Sequence, residues 1–126
     1  MDGATRSMIL GIGTDIQVVD EMKYISSLLY PDLMFTQNEI GYICNGKNKT
    51  ERLATLFSVK EAFFKALPSS FQWAWIDIEL KKNIDGSPYL SIDKIIAAYP
   101  LIANWNINLS LSHSGGYVQS FVIIEA

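Results

Sequence analysis

Thr50–Leu67, TERLATLFSVKEAFFKAL, is the stretch that decides the fold. It runs without a glycine or proline until Pro68, which cannot continue a helix. Leu53, Leu56, Phe57, Phe64 and Leu67 recur at helical spacing and predict one apolar stripe. Lys60 falls where that stripe should continue, so its ammonium must snorkel past the core edge or lie in a polar site. Glu61 and Lys65 stand four apart, on one face. By spacing alone they are an ordinary surface ion pair, contributing about 0.3–0.5 kcal/mol.

Upstream of this helix, Met8–Ile16 reads as a strand. Leu10, Ile12, Thr14 and Ile16 share one face; Ile9, Gly11, Gly13 and Asp15 share the other. Two bare glycines leading to a carboxylate are unusual in a strand. They mark either a bulge or tight packing, or the close approach of a ligand, and the pattern leaves both open. Asp20–Leu29 reads as a helix stopped near Pro31, and Thr36–Cys44 as a second, short one. Thr36 and Glu39 fit a capping box, which makes Glu39 structural by default.

Downstream, Phe71–Trp75 is an aromatic connection suited to a core or an interface. Ile76–Lys81 and Pro88–Ile92 alternate around the Asp85-Gly86 turn signal and predict a hairpin. Asp93–Asn104 reads as a helix capped by Asp93 and broken near Pro100. Trp105–Ser112 alternates again, Ser114-Gly115-Gly116 turns the chain, and Tyr117–Glu125 closes it as a strand. The expected class is α+β: one antiparallel sheet packed on a long central helix. Residues 1–7 are expected to be a leader, and 8–126 a single domain.

Composition narrows the function. The chain has 126 residues, 49% apolar and 18% charged, which suits one packed core rather than disorder. A net charge of −3 argues against nonspecific nucleic-acid binding. Cys44 is the only cysteine and His113 the only histidine, so neither a disulfide framework nor a cysteine or histidine metal cluster can form. The longest apolar run, Ile95–Trp105, is broken by Pro100 and too short to span a bilayer. A cytoplasmic protein with no membrane partner is expected. There is no G-x-S-x-G elbow, no Walker loop and no G-x-G-x-x-G opening a helix.

Several segments, in order, resemble one family. F-x-x-K-E-A-x-x-K-A-L at Phe57–Leu67 is similar to the signature helix of the 4′-phosphopantetheinyl transferase superfamily. Gly11-Ile-Gly-Thr-Asp15-Ile16 resembles the G-I-G-x-D-I strand of its holo-acyl-carrier-protein synthase type. Phe35-Thr-x-x-Glu39, Asp85-Gly86-Ser87-Pro88-Tyr89 and Ser110–Glu125 resemble further pieces of that type.

The resemblance implies a magnesium-dependent transfer of 4′-phosphopantetheine from coenzyme A to a serine of an acyl, peptidyl or polyketide carrier protein, with 3′,5′-ADP leaving. It implies Asp15 and Glu61 as magnesium ligands, which suits a hard cation that takes one or two carboxylates plus phosphate oxygens. It implies Lys65 as the phosphate contact, with Asp15, Glu61 and Lys65 together catalytic. His113 is an implied contact near the nucleotide part of coenzyme A, Gly86 and Pro88 implied backbone contacts to adenine from the adjacent subunit, Lys60 an implied support of the coenzyme site or of the neighbouring subunit, and a homotrimer with active sites at subunit boundaries the implied assembly. The alternative is a noncatalytic carrier-binding paralogue of the same fold; the presence of Asp15, Glu61 and Lys65 argues against it.

Four features depart from the family pattern, one of them Pro68-Ser69-Ser70 in place of a glycine-rich turn. Glu21 stands where an arginine is usual, and would repel an acidic carrier helix. Leu56 replaces an arginine and Ser87 a lysine, with Arg52, Lys47 and Lys49 as nearby cations that can compensate.

Overall fold

A computed structural model describes residues 7–25, 31–68, 71 and 73–126. In chain order the elements are β1 (Ile9–Val18), a 3₁₀ turn (Val19–Glu21), α1 (Met22–Ile25), α2 (Pro31–Met34), α3 (Gln37–Cys44) and α4 (Lys49–Ala66). A second 3₁₀ turn (Trp75–Asp77), β2 (Glu79–Lys82), β3 (Pro88–Ser91) and α5 (Asp93–Ala98) follow. A third 3₁₀ turn (Pro100–Ile102), β4 (Asn106–Ser114) and β5 (Tyr117–Glu125) close the chain.

The strands form two antiparallel sheets rather than the single one expected: β1-β5-β4 and β2-β3. The Asp77 carboxylate accepts the Ala74 N–H at 2.8 Å and closes a 3₁₀ turn, so the β2–β3 hairpin begins only at Glu79. At the two hairpin turns, Gly86 (φ 89°), Gly115 (φ 57°) and Gly116 (φ 82°) occupy the left-handed region that favours glycine.

α4 is the axis of the fold, packed against β1 and β5. Val59, Ala62, Phe63 and Ala66 are buried with Ile78, Leu90, Ile92, Ile95, Ile102, Val122 and Ile124. Of the expected stripe, Leu56 is buried and Leu53, Phe57 and Leu67 pack at the edges of the cores, but Phe64 is exposed; against β1 the helix presents Ala62 and Ala66, because the strand comes too close there for anything larger. The aromatic connection belongs to this core: the Phe71 ring meets Tyr99 and Trp105 edge-on, each at 5.1 Å.

The capping box at Thr36 is present in both directions and opens α3. The helix expected over Asp20–Leu29 starts later, at Met22, behind a 3₁₀ turn; residues 26–30 lie outside the described residues, and Pro31 opens α2. Asp93 lies in the first turn of α5, while Ile92 holds the cap position with no side-chain bond. Of the expected leader, only residue 7 is described. Among the described residues no helix is long and apolar enough to cross a membrane.

Candidate active site

The glycines of β1 are packing devices with a chemical consequence. A Cβ on Gly11 would lie 1.7 Å from the Ala66 carbonyl oxygen, and one on Gly13 1.8 Å from that of Ala62. Strand and helix therefore meet backbone to backbone, running in opposite directions. Two residues further along the same strand face, the Asp15 carbonyl accepts from Ser58 Oγ at 3.2 Å. Ser58 Oγ also pairs with Ser120 Oγ at 2.7 Å, and Ser120 is the β5 partner of Asp15. A buried pair of serines thus pins the strand end to the helix.

This contact brings Asp15, Glu61 and Lys65 together. The Asp15 side chain is 9% exposed; its carboxylate accepts from Gln17 Nε2 at 2.7 Å and lies 3.3 Å from Lys65 Nζ. Lys65 also donates to the Thr14 carbonyl at 3.0 Å, and half its side chain reaches solvent. Burial raises the Glu61 pKa above the usual carboxylate range; negative Asp15 raises it further, and Lys65 offsets part of this. Lys65 thus pairs with Asp15, and Glu61 lies within electrostatic range of both.

The donor set suits a magnesium ion. It is all oxygen, and the excess negative charge is what a hard cation would balance. Among the described residues no third acidic, histidine or cysteine side chain joins the pair to complete a protein cage. That leaves coordination positions for water and substrate phosphate, as magnesium usually requires.

Lys60 corrects an expectation. It is fully buried, and Nζ donates to Glu39 Oε1 at 2.7 Å and to the carbonyls of Met34, Trp75 and Ile78 at 2.7, 2.9 and 3.0 Å. Burial lowers its pKa, against the opposing pull of the Glu39 carboxylate. A lysine so enclosed ties α3, α4 and the segment before β2 together, and has no proton left for a coenzyme. Glu39 is the complementary hub: besides Lys60 it accepts from the Thr36 and Leu80 amides.

A cleft of about 730 Å³ opens along the first half of α4. Glu51, Arg52, Thr55, Leu56 and Ser58 form one wall; Asn38, Glu39 and Tyr42 of α3, Leu80–Lys82 and Pro88 of the β2–β3 hairpin, Leu109–His113 of β4, and Val118 and Gln119 of β5 line the other sides. Of the expected coenzyme A contacts, Pro88 and His113 line this cleft, while Gly86 is exposed at the hairpin turn. His113 is mostly exposed, its Nδ1 3.7 Å from Glu51. Ser58 joins cleft to carboxylates: it lines the first, contacts Asp15, and lies one helical turn before Glu61.

Of the departing residues, Leu56 is buried at the cleft wall, Glu21 is exposed just beyond β1, and the Ser87 hydroxyl is held by Asp85 and Asn83. Arg52 lines the cleft, whereas Lys47 and Lys49 do not. Sequence reasoning passed over Ser58, Ser120, Tyr42, Lys81 and Lys82. Only the two serines carried a signal, as polar residues at apolar positions of a helix and a strand.

Residues 11–122 match the model of the 4′-phosphopantetheinyl transferase superfamily. Holo-[acyl-carrier-protein] synthases of Protochlamydia amoebophila and Bacillus subtilis are 34% and 33% identical to the chain. The alignments cover 92% and 94% of this chain and 98% and 97% of theirs. The crystal structure of the Bacillus anthracis holo-(acyl-carrier-protein) synthase, in complex with CoA (3′,5′-ADP), superposes with a TM-score of 0.76 at 27% identity, over 94% of this chain and 98% of that one. The Neisseria meningitidis synthase shares the fold at a TM-score of 0.80, over 93% and 98%, with 23% identity.

Proposed function

The chain belongs to the 4′-phosphopantetheinyl transferase superfamily, and from that premise we propose that it works as a holo-[acyl-carrier-protein] synthase with Asp15, Glu61 and Lys65 as its reaction centre. It transfers 4′-phosphopantetheine from coenzyme A to a carrier-protein serine. The serine oxygen forms a bond to the pantetheine-side phosphorus, the bond from that phosphorus to the bridging oxygen breaks, and 3′,5′-ADP leaves with that oxygen. The observation that carries this reading is the glycine-lined strand–helix contact that sets Asp15 of β1 against the α4 face bearing Glu61, with half-exposed Lys65 3.3 Å from Asp15.

Asp15 and Glu61 would hold Mg²⁺, which when bound offsets charge on the splitting diphosphate. Lys65, half exposed and already aimed at Asp15, supplies a compact positive charge beside the same phosphates. The serine hydroxyl must lose its proton as it attacks. Glu61, Asp15 or a water held beside them takes that proton. Asp15 and Ser58 tie the reaction centre to the cleft, which receives the nucleotide half of coenzyme A beside His113.

A homotrimer belongs to the proposal. β1 turns its polar and glycine face to α4 and its apolar face outward: Ile12 is 54% exposed and Ile16 60%, with Phe121 of β5 beside them at 40%. A contiguous apolar sheet face of this kind is what a subunit interface covers. Residues 8–126 act as the catalytic domain. A cytoplasmic location completes the reading; the free Cys44 fits a reducing compartment.

Intact-mass measurement of an apo carrier incubated with coenzyme A and Mg²⁺ tests the proposal. One phosphopantetheine should be gained per carrier, with 3′,5′-ADP released. Asp15→Asn and Glu61→Gln should each abolish the gain while the fold persists. Full transfer by either variant would sink the assignment.

A further inference from the structure

Ser58 and Ser120 are buried hydroxyls that the reaction itself does not use. Ser120 interrupts the buried row Val118, Val122 and Ile124 on the inner face of β5. Ser58 stands on α4 between buried Ala54, Leu56, Val59 and Ala62. Alanine at both positions would fill nearly the same space without taking a hydroxyl out of water. Packing alone therefore does not account for the pair.

Their hydrogen bonds run in one direction. The Asp15 carbonyl can only accept, so Ser58 Oγ gives it its single proton, at 3.2 Å. Ser120 Oγ, 2.7 Å from Ser58 Oγ, is then the donor of that pair. The result is a relay from Ser120 to Ser58 to Asp15, in which each bond polarises the next. Its far end is fixed as well: Ser120 is the β5 partner of Asp15, and its carbonyl accepts from Thr14 Oγ1 at 3.0 Å.

The relay constrains what the glycines leave free. Backbone contact at Gly11 and Gly13 is steric, so it sets how near β1 lies to α4, not where the strand stands along the helix. A hydrogen bond weakens steeply with misalignment and does fix that place. Asp15 carries one carboxylate of the reaction centre, and Ser58 lies three positions before Glu61, which carries the other. Lys65 also holds β1, through the Thr14 carbonyl at 3.0 Å, but on a long side chain that is half in solvent.

We propose that the Ser120–Ser58 relay is the positioning device of the reaction centre: it sets the place of Asp15 along α4, and so the fit of Asp15 and Glu61 around a divalent ion. This rests on the reading of those two carboxylates as magnesium ligands given above. Both serines act through Asp15 and are positioning residues.

The test uses the full chain and measures metal binding apart from turnover. Mn²⁺ takes the same oxygen donors as Mg²⁺, and electron paramagnetic resonance counts its free form. Transfer to an apo carrier at graded Mg²⁺ gives the half-saturating concentration. Ser58→Ala should raise both constants about tenfold, the lower end of what is lost when a group behind a metal ligand is removed. The KM for the carrier should not change. Ser120→Ala should raise the same constants less, because Ser58 keeps its proton for Asp15. The double variant should match Ser58→Ala, since the two serines act as one unit. Both constants are taken per folded molecule, so lost stability alone moves neither. Unchanged constants in Ser58→Ala overturn this proposal and leave the transferase reading standing. A wild type that binds no Mn²⁺ and transfers equally well without a divalent ion overturns the assignment of Asp15 and Glu61 instead.

Discussion

Gly13→Ala puts the strand–helix contact to its most direct test. The new methyl would stand 1.8 Å from the Ala62 carbonyl oxygen and 2.8 Å from the Ala66 nitrogen. Ordinary carbon–oxygen contact is about 3.4 Å, so strand and helix must part by about 1.5 Å or the backbone must deform. Overpacking of this kind costs about 1–3 kcal/mol, and more where the obstacle cannot rotate aside. Here it cannot, because the obstructing atom is backbone. A stability loss of about 3 kcal/mol corresponds to a melting temperature lower by roughly 10 °C in a domain of this size. The same displacement carries Asp15, two residues on, away from Glu61, so transfer should fall by more than the unfolded fraction explains. Urea denaturation gives the first quantity, and kcat per folded molecule gives the second. Adding Ala62→Gly should rescue neither, since it leaves the carbonyl in place. A Gly13→Ala protein within about 0.5 kcal/mol of wild type, with full turnover, would refute the argument that backbone contact sets the site.

Three more outcomes are expected. Lys60→Ala should destabilise the fold by about 3–5 kcal/mol by stranding the Glu39 carboxylate, and Lys60→Met with Glu39→Gln should recover much of that in chemical denaturation. Glu61→Gln should be slightly more stable than wild type at neutral pH without metal, by under about 1 kcal/mol once solvent screening is allowed for. Its folded pKa lies above the unfolded value, so ionisation opposes folding at high pH, and the advantage should vanish as pH falls below the unfolded carboxylate pKa near 4.5. Mg²⁺ should raise the melting temperature of wild type and not of this variant. Ile16→Asp, on the outer sheet face, should turn a trimer into monomers by light scattering; an unchanged mass would place the interface elsewhere.

The legible parts of the molecule were those where one residue's chemistry acts locally. Pro68 ended the long helix, Thr36 and Glu39 capped α3, and the glycines near residues 86 and 115 turned the hairpins, each as read. Periodicity failed where the strongest contact is made by the smallest side chains. Hydrophobicity pointed to Phe64, but the helix buries Ala62 and Ala66, because contact distance rather than apolar bulk selects that face. Lys60 was misassigned for a related reason. A charge on an apolar stripe resembles a site residue until its partners, contributed by residues 34, 39, 75 and 78, are brought around it.

The chain's own order of residues was enough to establish an α+β domain with its long helix and hairpin turns, whereas Asp15, Glu61 and Lys65 stood out only through resemblance to a known family. Tertiary structure alone decided that the two glycines are a seat for α4, that Lys60 is a buried strut, and that Arg52 faces a cleft with Lys81 and Lys82. Propensity and capping depend on neighbours within a few positions. A charge's role depends on which distant groups surround it, and only folding sets that distance.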